Sequence, residues 1–265
     1  VAAWWQTAAP QFAAPEAALS AVSAADGFRS AIEGLFEDAT VLVAVEYTAG
    51  YAGELTPAAS AILQMLMEQN ARIAMITTNP SGLLLAEGLK NDALNAQPQF
   101  SAQYTQRDWL INLGYLPGET LSLQELASNL PQAVQYGISA GLENRPVWDS
   151  AGLLEIYSLE DFSMLILITD TAESGRAWME QVQPAIPQVP LLMAVSAQAA
   201  PMLQPYVDSG QAQAMITGLT GGWALDPAGA SPVMFRLGIA VVVSLLLIGA
   251  ALEGLRAVFG RKQMD

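Results

Sequence analysis

Two carboxylates stand where this chain could do chemistry. Glu46 lies in the apolar run VLVAVEY (41–47), and Asp170 directly follows the run FSMLILIT (162–169). If the two runs are neighbours, the pair can hold Mg²⁺ or Ca²⁺ with water and carbonyl oxygens. It can equally act as a general acid and base. Small polar residues mark the ends of this and similar runs: Thr48, Thr78, Asn79, Asn112, Thr171 and Ser196. They are candidates for ligand binding, because open parallel sheets take ligands at the carboxyl ends of their strands. The same residue types also cap the helices that follow strands. Capping alone accounts for Thr78, Asp170 and Ser196.

The missing residue types narrow the field. The chain has no His and no Cys. A Ser-His-Asp triad, a Cys-His pair, a thiolate nucleophile, a disulfide and imidazole or thiolate metal sites are therefore excluded. Carboxylate, hydroxyl, Lys and backbone chemistry remain. TTNPSG (77–82) has helix-start chemistry but no Walker pattern, and no GxGxxG follows the first apolar run. No flavin-binding pattern is identifiable, and the sequence calls for no cofactor. The formal net charge of -15 disfavours nucleic acid, whose phosphates are bound by Lys and Arg.

The elements that must position these residues alternate. Residues 16–38 read as a helix, with Gly27 as a break point. Continuous apolar runs at 41–47, 71–78, 108–115, 162–169, 189–196 and 213–219 read as strands buried on both faces. Helices are expected at 56–70, where Thr56 caps and Pro57 takes the first position, and from Gly82 to about Lys90. Further helices fall at 121–128, 172–183 and 198–209. Residues 91–107 and most of 116–161 read as long loops. The fold class is α/β: a doubly wound, mostly parallel sheet of about six strands, followed by a C-terminal transmembrane helix.

That last element is the strongest single signal. Leu237 to Leu252 is a run of sixteen residues without a charge, about 24 Å as a helix. Apolar neighbours extend it to 233–259. Leu245 is central, and Arg236 and Arg256 flank the run. Six basic and 23 acidic residues precede Arg236, whereas Arg256, Arg261 and Lys262 follow the run. The positive-inside rule then puts the tail, 260–265, in the cytoplasm and the acidic domain outside. Trp4 and Trp5, ahead of a Pro-punctuated stretch, suit the interfacial end of a preceding hydrophobic segment, and equally a surface pair packed on the domain. The expected organisation is a linker at 1–15, an extracytoplasmic domain at 16–220, a linker at 221–232, and then the span and tail.

Strand 41–47, the ELTPAA helix start and the ARIAMITT strand resemble flavodoxin-like and class I glutamine-amidotransferase-like α/β folds. The stretch SAQAAPMLQPYVDSGQAQAMITGL (196–219) resembles bacterial membrane proteins with an extracytoplasmic α/β domain between hydrophobic segments. The resemblance implies a fold, but the amidotransferase Cys and His are absent, so that activity does not carry over. The expected function is a non-enzymatic, membrane-anchored domain that binds a protein partner or a second copy of itself. The alternatives are a small-ligand or sensing domain, and a carboxylate- or metal-dependent hydrolase using Glu46 and Asp170.

Overall fold

The computed structural model describes residues 15–135, 153, 155–225 and 237–250. The chain divides into two units, one up to Asp226 and one from Pro227 onward.

The first unit is built on six parallel strands: β1 (Thr40–Glu46), β2 (Arg72–Thr77), β3 (Leu110–Tyr115), β4 (Met164–Thr169), β5 (Leu191–Val195) and β6 (Ala214–Thr217). Their order is β3-β2-β1-β4-β5-β6. This is the order of doubly wound nucleotide-binding folds, not the 2-1-3-4-5 order of flavodoxin. The helices are α1 (Pro15–Glu33), α2 (Ala52–Glu68), α3 (Gly82–Ala96), α4 (Pro98–Gln106), α5 (Thr120–Ser128), α6 (Leu130–Gln135), α7 (Ala172–Gln181), α8 (Ala200–Asp208) and α9 (Gly218–Leu225).

Alternation along each strand explains the two cores. Leu42 and Ala44 of β1 join a cluster with Leu123, Leu126, Trp178 and Leu203, from α5, α7 and α8. Val41, Val43 and Val45 join the opposite cluster, with Phe28, Ile62, Leu89 and Leu225 from α1, α2, α3 and α9. All seven β1 residues are buried, as expected for a strand covered on both faces.

Several expected boundaries differ. Helix α1 runs unbroken through Gly27. Helix α2 starts at Ala52, a turn before the expected Thr56 cap, with Pro57 inside it. Thr56 instead shares a 3.1 Å hydrogen bond with the hydroxyl of the buried Tyr47. The Gln-rich 91–107 segment is helical, not a loop: α3 continues to Ala96 and α4 follows. Its anchors are the buried Ala93 and Tyr104, whose hydroxyl donates to Ala71 O at 2.7 Å. Gln and Asn hid a helical pattern that rests on few apolar contacts.

The expected linker from residue 221 begins as α9. Its glycines let it approach α2 closely: a Cβ on Gly222 would stand 3.1 Å from Ala58 N. Arg29 Nη2 donates to the carbonyls of Ala224 and Leu225 at 3.0 Å each, satisfying groups that the helix end leaves open.

In the second unit, residues 237–250 form a helix, and large apolar side chains along it are exposed, from Val243 at 47% to Leu246 at 68%. Leu237 and Leu245 belong to it. Among the described residues, no helix is long and apolar enough to cross a membrane. Arg236, Leu252 and Arg256, the flanks of the expected span, lie outside the described residues, as do Trp4 and Trp5.

Candidate functional site

Strands β1 and β4 are hydrogen-bonded neighbours, with Glu46 opposite Thr169. Glu46 and Asp170 therefore come together at the carboxyl edge, where the strand order reverses. Chain direction diverges there: the β1–β2–β3 half winds one way and the β4–β5–β6 half the other. This is where open α/β sheets leave a crevice.

Each carboxylate grips the loop of a neighbouring strand. Thr78 N donates to Glu46 Oε1 at 2.7 Å, and Thr78 Oγ1 donates to Glu46 Oε2 at 2.8 Å. Thr48 N and Thr48 Oγ1 both donate to Asp170 Oδ2, at 2.9 and 2.7 Å. The two Thr residues follow the strands beside their carboxylates, so the same clamp occurs twice across the sheet. Hydrogen bonds to a charged acceptor are the stronger kind, about 1.5–3 kcal/mol.

The two acids differ in electrostatics. Both are buried, each 2% exposed. Burial pushes the Glu46 carboxyl up to about 7, against the two Thr78 bonds and the nearby Trp178 indole, which lower it, while the Asp170 charge adds slightly to the rise. The indole Nε1 is buried and lacks a partner of good hydrogen-bond geometry. Glu46 is thus an acid raised by burial toward neutral pH and held by a fixed threonine.

A cavity of about 350 Å³ opens over this pair. Thr48, Thr78, Asn79 and Thr171 line it beside Glu46 and Asp170. Thr171 also caps α7, accepting from Ser174 N at 3.3 Å. Asn79 Oδ1 accepts from Ser81 N and Ser81 Oγ, at 3.0 and 2.8 Å, which shapes the turn into α3.

Two expected candidates are elsewhere. Asn112 sits within β3, where Oδ1 accepts from Gly114 N at 3.0 Å beside the register shift between β2 and β3. It satisfies a group that the irregular ladder leaves open. Ser196 Oγ donates to Asp170 O at 2.7 Å and accepts from Ala199 N at 3.2 Å, so it holds the β5 loop against β4. On the same side, Glu54 Oε1 accepts from Ala197 N at 2.7 Å.

Sequence reasoning missed seven residues of the lining, among them the polar Glu119, Glu173 and Ser174. Glu119 precedes α5 with φ 51 and ψ -121 and makes no capping bond with its side chain. A non-glycine residue there costs about 1–3 kcal/mol. The signal was present in PGET (117–120), a turn directly after an apolar run. Ser174 Oγ is buried without a hydrogen-bond partner.

Among the described residues, no group of three or more His, Cys, Asp or Glu is placed to hold a metal ion. With both Glu46 oxygens occupied by Thr78, the pair acts first as a brace between loops. No family model matches the chain, and neither a curated protein nor a solved structure matches it.

Proposed function

We propose that this chain is a membrane-anchored α/β domain that works by binding, as a non-enzymatic component of a membrane complex, with the segment 233–259 as its anchor. The observation that supports the anchor is the exposed apolar surface of residues 237–250. A helix apolar all round is either buried in protein or placed in lipid. The charge asymmetry of the sequence then assigns the domain to the extracytoplasmic side and residues 260–265 to the cytoplasm. The double Thr–carboxylate clamp favours a rigid domain whose strand-end loops present a fixed surface. Gentle detergent extraction from native membranes tests this reading through the mass of the intact particle. A particle heavier than one chain, containing a second copy or a defined protein in fixed ratio, is expected. A lone chain, or one found free of the membrane, would overturn it.

A second reading is favoured by the cavity over Glu46 and Asp170: a small ligand bound or sensed at the point where the strand order reverses. Both readings are compatible with one molecule, because a ligand held there would touch the loops that a partner would meet. The hydrolase reading has less support. Both Glu46 oxygens are bonded by Thr78, so catalysis through Glu46 would need that threonine to let go.

A further inference from the structure

Resting on the second of these readings, we infer that the cavity over the β1–β4 junction is a site for a primary ammonium group, held by Asp170 Oδ1.

This oxygen is an acceptor without a partner. Asp170 is 2% exposed and lines the cavity, and its two bonds from Thr48 both fall on Oδ2, leaving Oδ1 with none from the described residues. A carboxylate oxygen that opens only onto the cavity gains from a charged N–H donor, so a ligand that brings one to Oδ1 is favoured.

Charge decides the sign of the ligand. Helices α3, α5 and α7 all begin at this edge, and each N-terminus brings roughly half a positive charge. That alone would favour an anion. Against it stand the carboxylates of Asp170, Glu119 and Glu173, and the Glu46 carboxyl when it is ionised. Glu173 pairs with Arg176 at 3.6 Å, but both side chains are largely solvated, so the pair neutralises little. No Lys or Arg is among the lining residues. The carboxylates outweigh the helix ends, and the cavity prefers a cation.

Geometry selects among cations. A metal ion lacks a converging set of three acids among the described residues. A guanidinium fork prefers both oxygens of one carboxylate. Of the two buried carboxylates, Asp170 offers one oxygen and both Glu46 oxygens are held by Thr78, while the Glu173 carboxylate already faces Arg176. An ammonium is a compact donor that suits a single free acceptor. Pro80, Leu123 and Ala177 give its methylenes an apolar wall.

Isothermal titration of the full chain in a non-ionic detergent tests this, with butylamine, butylguanidine and butyrate as probes. Butylamine is expected to bind, and Asp170→Asn to weaken it by roughly tenfold or more. An Asn there can still accept from Thr48 while turning an N–H₂ toward the cavity, so the variant keeps its thermal transition. Nα-acetyl-lysine methylamide separates the two sources of the group. Binding of both amines places it on a partner's lysine side chain, and binding of butylamine alone places it on a free amine. Butylguanidine or butyrate binding as well as butylamine would overturn the ammonium assignment while leaving the cavity a ligand site. No heat and no displacement with any probe would overturn both.

Discussion

Replacing Glu46 by Gln should change how stability depends on pH. The Glu46 carboxyl titrates near 7 in the folded chain, against 4.5 for the free group. Between these values the native state binds a proton that the unfolded state has released. The unfolded state binds fewer protons, so this group's contribution to stability falls as pH rises through that window. It is fully present below 4.5 and lost above about 7, where the gap amounts to about 3 kcal/mol. Gln fits the same place: its carbonyl oxygen can accept from Thr78 N, and its amide can donate to Thr78 Oγ1. Urea unfolding at pH 5 and pH 8 on both proteins isolates the effect, because every other carboxylate is common to the two. Near-equal stability at pH 5, with Glu46→Gln more stable by about 2–3 kcal/mol at pH 8, is the expected outcome. Parallel pH profiles would refute the reasoning, and would mean that the Thr78 bonds fully offset burial.

Other consequences are simpler to read. Thr48→Val removes the 2.7 Å hydroxyl bond to Asp170 and should lower stability by about 1.5–3 kcal/mol in denaturant unfolding. Gly82→Ala would put a Cβ 2.6 Å from Val45 O, and a loss of about 2–4 kcal/mol or failure to fold is expected, read by circular dichroism and melting. Glu119→Gly relieves a positive φ of 51 and should raise the melting temperature, a gain of about 1 kcal/mol.

Much of the sheet could be read from the chain. Runs such as VLVAVEY and FSMLILIT are short, rich in β-branched or aliphatic side chains at successive positions and bounded by polar turns, as strands buried on both faces are. Strand order could not be read, because pairing is a tertiary choice, and with it the meeting of Glu46 and Asp170 remained conditional. Helix α4 was missed because its burial rests largely on Tyr104. Helix α9 was missed because TGLTGG (217–222) has the composition of a linker, whereas its glycines serve close approach to α2. At the site, Thr48, Thr78, Asn79 and Thr171 were legible as strand-end polar residues. Asn112 and Ser196 share that signature, yet they satisfy backbone groups within the sheet and its loops. Residue type could not separate these roles, since both need a small side chain with an acceptor. Glu119 and Ser174 stand on loop and helix turns whose facing depends on the whole fold.

The proposed anchor would leave the domain on the far side of the membrane from its tail, and the absence of cysteine from the chain lets the side of each position be measured. Single cysteines introduced by S209C, in an exposed turn after α8, and by Q263C report which side each position occupies. An impermeant maleimide applied to intact cells expressing the full chain should label the 209 variant at once, and the 263 variant only after permeabilisation. Labelling of the 263 variant alone in intact cells would reverse the orientation. Recovery of both variants in the soluble fraction would contradict the anchor itself.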